Sequence, residues 1–341
     1  MAVKVAINGF GRIGRLVYRA LLEKNFFDGK VEVVVVNDLV PAENLAYLLK
    51  YDSIHGTLPL DVKAIDENTI QVGDYTLKAL AMKVSPSELP WRDYGVDVVI
   101  ESTGQFTKTE SSKGHIQSGA KKVIISAPSD TDTQMYLMGV NHDAYGNEEM
   151  VSNASCTTNC IAPLVHVLIK EGIGIEEGLM LTAHAYTASQ SLHDGQSKKD
   201  LRGGRAAAVN IIPESTGAAK SIGRIIPEVN GKLTGMSIRV PVIDGSMLDL
   251  TFRSSRDTSL EEINSLMKKA SETYLKGIMG YTEDPVVSSD FIHNPYSCVY
   301  DATASMQLNS RFFKLISWYD NEWAYSLRMA ELLEVVADNL A

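Results

Sequence analysis

Residues 3–14 read VKVAINGFGRIG, and the order of residue types in this stretch decides the fold. Val3, Val5 and Ile7 set a strand pattern that ends at Asn8. Gly9-Phe10-Gly11-Arg12-Ile13-Gly14 follows at once and matches G-x-G-x-x-G, and Ile13, Leu16, Val17, Ala20 and Leu21 then recur at helical spacing. Taken alone, such a run also describes a tight glycine turn with no ligand. Between a strand and a helix it reads as a dinucleotide turn. Gly9 permits the bend, Gly11 lets the backbone approach a pyrophosphate, Gly14 allows close helix packing, and the helix N-terminus faces the anion.

The same alternation continues outward. Strand patterns at Val31 to Asn37, Val96 to Glu101 and Lys122 to Ser126 hold continuous apolar runs, as in Val33-Val34-Val35-Val36 and Val98-Val99-Ile100, and a helical pattern spans Arg12 to Leu22. Such runs alternating with helices predict a Rossmann-like, doubly wound parallel sheet covered on both faces. Asp38 stands at the end of the second strand, where a carboxylate accepts hydrogen bonds from ribose hydroxyls and repels a 2'-phosphate, so NAD is expected over NADP. Its spacing from the glycines is stretched by Lys24 to Lys30, and it also reads as a cap on the next helix. From about residue 151 longer strand patterns (Leu179 to Ala185, Gly235 to Val242, Met247 to Arg253) surround a polar loop, Ser189 to Arg205, and helical patterns cover Glu261 to Tyr274 and Asn321 to Ala337. The expected α/β fold therefore joins an NAD-binding domain (1–155) to an α+β catalytic domain with a mixed or antiparallel sheet (156–320). A closing helical segment (321–341) is expected to pack back on the first domain.

A chain of 341 residues exceeds what one hydrophobic core supports, and 45% apolar with 22% charged residues is an ordinary globular composition. The formal charge of -10 excludes a general attraction to nucleic acid, so any anionic substrate must be held by local groups. No run approaches 18 apolar residues and the start carries no leader pattern, which predicts a cytoplasmic protein with no membrane segment. Three cysteines are too few for a disulfide framework. Cys156 and Cys160 form C-x3-C without a second ligand pair, so no metal site is expected and the thiols should be reduced.

Ser155-Cys156 precedes an apolar-periodic stretch (Ile161, Leu164, Val165, Leu168), which places Cys156 at a helix N-terminus, where the dipole and free N–H groups favour a thiolate and lower the thiol pKa. Cys160, one turn on, and Cys298, between two tyrosines, read as core residues. Among seven histidines His184 is the best candidate base, because it closes the apolar run Leu179 to Ala183 and opens the polar loop; a histidine at a strand end is also a common structural residue.

INGFGRIG at 7–14, SNASCTTNC at 152–160, TAHAYT at 182–187, STGAAK at 215–220, Arg239-Val240-Pro241 and YDNEW at 319–323 together make a chain that resembles the glyceraldehyde-3-phosphate dehydrogenase family over residues 7–323. The resemblance implies oxidation of D-glyceraldehyde 3-phosphate to 1,3-bisphosphoglycerate with NAD and inorganic phosphate, Cys156 carrying the thioester and His184 acting as base. It implies Arg12 and Ile13 at the pyrophosphate turn with Gly9 and Gly11, and Asp38 at the ribose. Val84 falls near the adenine, Ser102, Thr103, Gly104 and Ser126 line the cofactor cleft, and Asn321 meets the nicotinamide carboxamide. Thr187 and Arg239 fall to the C3 phosphate, and Ser155, Thr157, Thr216 and Gly217 to inorganic phosphate. Without the family, Thr216-Gly217 reads as a helix cap and Arg239 as a strand arginine. A homotetramer is implied, with no nucleic acid as primary partner. The sister activity on erythrose 4-phosphate shares the cysteine segment, but the hydroxyl-rich phosphate segments resemble the glyceraldehyde enzyme more closely. Departures from the family pattern include Thr57-Leu58, Val84 in place of an arginine, Ser189, and Ala324 in place of a glycine.

Overall fold

Strand β1 (Val3–Asn8) pairs in parallel with β2 (Val31–Asn37) on one side and, on the other, with a strand some ninety residues later, so the chain winds outward from β1 in both directions. The computed structural model describes residues 2–130, 132–197 and 200–340 and divides into two units, Met1–Ala154 with Ser326–Ala341, and Ser155–Tyr325. In the first unit α1 (Arg12–Glu23) follows the glycine turn. After β2 come α2 (Ala42–Lys50), β3 (Val62–Asp66), β4 (Thr69–Val72), β5 (Tyr75–Leu80), α3 (Trp91–Tyr94), β6 (Val98–Glu101), α4 (Thr109–Ser112), α5 (Gly114–Gln117), β7 (Lys122–Ile125), β8 (Gln134–Met135) and β9 (Met150–Ser152). Among the described residues the sheet order is β3-β4-β5-β2-β1-β6-β7-β9-β8. Ile7, Val36, Val99 and Ile124 lie in its strands with no exposed surface, as continuous apolar strands require when both faces are covered.

The antiparallel ribbon β3-β4-β5 at one edge departs from the expected all-parallel sheet. Its first strand carries Lys63 and Asp66 beside half-exposed Ile65, and such a polar edge gives no clean apolar period to read.

The second unit opens with α6 (Cys156–Lys170) and continues through β10 (Ile175–Ala185), β11 (Ile212–Ser215), α7 (Ala218–Ile225), β12 (Leu233–Val240), β13 (Ser246–Ser254), α8 (Leu260–Glu272), β14 (Met279–Thr282), β15 (Cys298–Asn309) and β16 (Phe312–Tyr319), before α9 (Trp323–Asp338). Its described strands run β11-β12-β10-β13-β16-β15-β14, a mixed sheet with β10 parallel to β12 and antiparallel to β13. Helices α6, α7 and α8 cover one face. Period-two alternation along β10 turns Met180, Thr182 and His184 toward that covered face, while Leu179 on the other stays 62% exposed. From Ser326 the closing helix groups with the first unit. Lys198 and Lys199 of the polar loop, and Ala341 of the closing segment, lie outside the described residues.

One face of α1 fastens the dinucleotide turn. Arg15 donates to Phe10 O at 2.9 Å, and Arg19 donates to Leu49 O at 2.7 Å, at the C-terminal end of α2 where carbonyls lack helical partners. Arg12 meets Asp52 at 2.5 and 3.3 Å, and the same carboxylate accepts the N–H groups of Ile54 and His55 at 2.9 Å. Burial opposes ionisation of Asp52, but these donors outweigh it and hold the carboxyl at about 2, against an ordinary 3.8. A depressed carboxyl stabilises the fold above its unfolded pKa and loses that contribution as pH falls toward its folded one. Asp52→Asn should therefore cost about 1–2 kcal/mol at pH 7 after discount for solvent screening. In urea unfolding the gap from the parent should stay level above pH 5 and narrow below about pH 4; a gap independent of pH would refute this account.

Candidate active site

Strand order reverses between β1 and β6, and at the carboxyl ends of these paired strands a cavity of about 260 Å³ opens within the first unit. Gly9, Gly11, Asp38, Val84, Ser102 and Thr103 line it, together with Asn8, Asn37, Met82, Lys83, Gln105 and Phe106, which the sequence reading did not single out. Gly9 has φ +91°, and a Cβ there would stand 2.5 Å from Thr103 N; a Cβ at Gly14 would stand 2.2 Å from Gly9 O. These two glycines are required by the chain itself. Gly11 is not: its φ is -72° and a Cβ would meet nothing within 4 Å. A residue that needs no side chain beside open space suits close approach of a ligand to the backbone, so the cradle fits a pyrophosphate.

Asp38 sits in the cavity wall because its Oδ2 accepts the Phe10 N–H at 2.7 Å and its Oδ1 that of Leu39 at 2.7 Å. Four lone-pair sites leave a carboxylate with capacity for ribose hydroxyls beyond these two. Ser102 donates its hydroxyl to Gly9 O at 2.7 Å, and Thr103 gives both N–H and O–H to Glu101. Arg12 is turned to Asp52, and Arg12, Ile13, Gly104 and Ser126 are not among the lining residues.

Behind this wall runs a buried polar chain that sequence reading missed. Trp91 Nε1–H donates to His115 Nδ1 at 2.8 Å, so the ring proton resides on Nε2 and is given to Glu101 at 3.0 Å. Glu101 also accepts from Asn8, whose Oδ1 accepts from Asn37. His115 reads from sequence only as a residue on a helical pattern, because its partners lie 14 and 24 residues away.

In the second unit α6 begins at Cys156, and Ser155 caps it, its Oγ accepting Thr158 N–H at 3.1 Å. Ala154, just before the cap, has φ +54°, a left-handed conformation that costs a non-glycine residue about 1 kcal/mol. Cys156 Sγ lies 3.4 Å from His184 Nε2. Beneath the pair, Thr182 donates to Met247 O at 3.1 Å and so accepts from the Tyr319 hydroxyl at 2.9 Å, which in turn accepts from Thr157 at 3.1 Å. Tyr319 was not singled out as a site residue. Its ring meets the His184 ring edge-on, and its hydroxyl joins the start of α6 to β10. Cys160 and Cys298 are buried, and all three cysteines are free.

Burial pushes the Cys156 thiol up to about 11 against the opposing charge of Arg239 and the hydrogen bonds of Thr157. Burial, aided by Arg239, brings His184 down to about 3. The expected lowering of the thiol by the helix end is thus outweighed by desolvation, which penalises either charge standing alone. A thiolate forms here by passing its proton to His184, where the two charges offset each other, rather than by losing it to solvent.

Parallel register sets Arg239 on β12 beside His184 on β10. Arg239 Nη1 stands 2.8 Å from His184 Nδ1, and Ala185 O stands 2.7 Å from the same nitrogen. The first can only donate and the second only accept, so Nδ1 satisfies one at a time. With Ala185 O as partner, Nδ1 carries the proton and Nε2 presents a lone pair to Sγ. Arg239 Nε is held by Glu214 at 2.5 Å, a residue absent from the sequence reading. Thr187 bonds Ser189 and Gln190, Thr216 accepts Ala218 N–H at 3.2 Å, and Gly217 caps α7. The Thr157 hydroxyl points to Tyr319 rather than outward. Asn321 accepts the Ser246 hydroxyl at 2.7 Å through Oδ1.

Residues 3–109 match the family described as glyceraldehyde 3-phosphate dehydrogenase, NAD binding domain, and residues 155–321 the C-terminal domain of the same family. The glycosomal glyceraldehyde-3-phosphate dehydrogenase of Crithidia fasciculata is 53% identical over 97% of this chain and 96% of its own. The Chlamydia pneumoniae enzyme of that name is 53% identical over 99% of both chains, and the Mycolicibacterium smegmatis one 52% identical over the whole of both. With its glycine cradle, its cysteine and histidine in contact, and this similarity along its whole length, the chain belongs to the glyceraldehyde-3-phosphate dehydrogenase family.

Proposed function

We propose that this chain oxidises D-glyceraldehyde 3-phosphate to 1,3-bisphosphoglycerate with NAD and inorganic phosphate, through a hemithioacetal and a thioester on Cys156. The observation that carries the mechanism is the 3.4 Å contact between Cys156 Sγ and His184 Nε2 at the start of α6. NAD, when bound, supplies the hydride acceptor. Sγ attacks the aldehyde carbon as its proton passes to Nε2 and on to the new oxygen, giving a hemithioacetal with neutral His184. The Cys156 N–H, at the head of α6, stabilises charge on that oxygen in this reading. Nε2 then takes the hydroxyl proton, leaving a thioester once the hydride has departed. Attack by a phosphate oxygen breaks the C–S bond and returns the sulfur with its electron pair.

Arg239 and Thr187 serve the C3 phosphate in this reading, and Ser155, Thr157, Thr216 and Gly217 inorganic phosphate. Thr157 must turn its hydroxyl from Tyr319 to do so, or act through its N–H. For the cofactor, Gly9, Gly11, Arg12 and Ile13 offer the turn and helix end, Asp38 the ribose acceptor, and Val84, Ser102, Thr103, Gly104 and Ser126 the surrounding backbone. Asn321, whose Oδ1 is taken by Ser246, offers its Nδ2 to the nicotinamide carboxamide. Equal catalytic efficiency with NADP would sink the role given to Asp38.

A homotetramer is supported by the uncovered face of the second sheet, where cross-strand pairing sets Leu179, Thr251, Lys314 and Met306 in one row beside Met236. Leu179 is 62%, Met306 54% and Met236 41% exposed, apolar side chains that a second copy of the chain would cover. Light scattering at the mass of one 37.3 kDa chain would overturn it. Among the described residues no helix is long and apolar enough to cross a membrane. A cytoplasmic setting is favoured by the three free thiols, and recovery of the native protein from a sealed organelle would contradict it.

NADH formation from glyceraldehyde 3-phosphate and NAD should depend on inorganic phosphate and fall by roughly 10³ or more in Cys156→Ser. Turnover that ignores phosphate or survives the mutation sinks the mechanism. A second outcome concerns the shared proton. In His184→Asn the thiol loses its proton acceptor while burial still holds it high, so its ionised fraction grows only as pH rises toward about 11. Alkylation of Cys156 by iodoacetamide at pH 7 should slow by roughly tenfold or more, and the loss should shrink with rising pH. Equal rates for parent and variant at neutral pH would show that His184 does not receive the proton.

A further inference from the structure

Arg239 is engaged within the chain by a carboxylate. Strand β11 pairs antiparallel with β12 so that Ile212 opposes Arg239 and Glu214 opposes Ser237, which sets the Glu214 carboxylate diagonally across from the guanidinium. Glu214 Oε2 accepts from Arg239 Nε at 2.5 Å, with the arginine 17% and the glutamate 29% exposed. Glu214 Oε2 also lies 3.5 Å from Gln190 Nε2, and Gln190 Oε1 accepts from both the N–H (2.9 Å) and the hydroxyl (3.1 Å) of Thr187. One carboxylate thus holds Arg239 directly and Thr187 through a single amide.

These are the two residues assigned above to the C3 phosphate, and a carboxylate bound among phosphate ligands presents the same chemistry as the ligand: oxygens of negative charge accepting N–H and O–H donors. We propose that Glu214 is an internal anion lodged in the C3-phosphate site, where it occupies Arg239 and sets how tightly phosphorylated aldehydes bind. The proposal rests on the assignment of Arg239 to that phosphate. An incoming phosphate must draw Nε away from Glu214 or share it, and it meets the carboxylate's like charge at close range, a cost that falls on substrates carrying the phosphate and not on the aldehyde itself.

The test compares KM for glyceraldehyde 3-phosphate with KM for unphosphorylated glyceraldehyde in the parent, Glu214→Gln and Arg239→Ala, with sulfate titrated into each protein as an equilibrium readout. Glu214→Gln should lower KM for the phosphorylated aldehyde by roughly three- to tenfold, leave that for glyceraldehyde within about twofold, and tighten sulfate binding. Arg239→Ala should raise KM for the phosphorylated substrate far more than for glyceraldehyde, which feels the change only through the contact of Arg239 with His184. If Arg239→Ala does so while Glu214→Gln leaves KM unchanged or raises it, Glu214 supports the site rather than filling it and the proposal is overturned, with the arginine assignment intact. If Arg239→Ala leaves both substrates unaffected, that assignment fails and the proposal with it. Glu214→Ser, read in the same assays, replaces the glutamine variant should the latter not fold.

Discussion

The second unit turns on one hydroxyl. Tyr319 lies in the core with its phenol raised well above the ordinary value, first by burial and then by the nearby thiols, so it remains O–H throughout the working pH range. One proton and its lone pairs then set a direction along the chain from Thr157 through Tyr319 and Thr182 to Met247 O. The first member is on α6 directly after Cys156, and the third is on β10 two residues before His184. A helix start and a strand end are thereby fixed to each other below the reacting atoms, and the 3.4 Å separation of Sγ and Nε2 follows from that. Loops placed without such a tie would leave two short side chains free to drift by more than the distance that matters.

Much of this was legible in the sequence wherever the cause was local. The strand, glycines and helix of residues 3–23, the helix start at Cys156, and the strand that ends at Ala185 all come from neighbours within a few positions. Asp38 was legible as a strand-end carboxylate, but its attachment to the Phe10 N–H was not, although only 28 residues part them. Tyr319, Glu214, and the Trp91, His115 and Glu101 chain were invisible for one common reason. Each takes its role from partners brought near by sheet order, such as Tyr319 and Thr157, 162 residues apart. The ribbon β3-β4-β5 was missed for a different reason: its edge strand β3 is polar and carries no burial pattern to mark it.

The expectation about the thiol failed on magnitude. A helix end is worth about 0.3–1 kcal/mol to an exposed anion and up to about 2 in partly buried geometry, whereas removing a charge from water inside a protein costs several. The location at the head of α6 was right and the sign of the shift was not, because the same packing that brings His184 to Cys156 also removes their water. Helix geometry still matters, since it aims backbone N–H groups at whatever charge develops there.

It follows that the position of one proton on His184 is decided away from sulfur, at Nδ1. Ala185 O and Arg239 Nη1 contest that nitrogen at 2.7 and 2.8 Å. While the guanidinium lies against it, a lone pair on Nδ1 is favoured and the ring proton is driven to Nε2, the side that must be bare to receive a proton from Sγ or from a bound hydroxyl. Drawing the guanidinium toward an anion leaves Ala185 O as the partner, moves the ring proton to Nδ1 and exposes the basic lone pair to sulfur. Arg239, assigned above to the C3 phosphate, thus also shares a nitrogen with Ala185 O on His184, and parallel register between β10 and β12 is what sets the two side chains together.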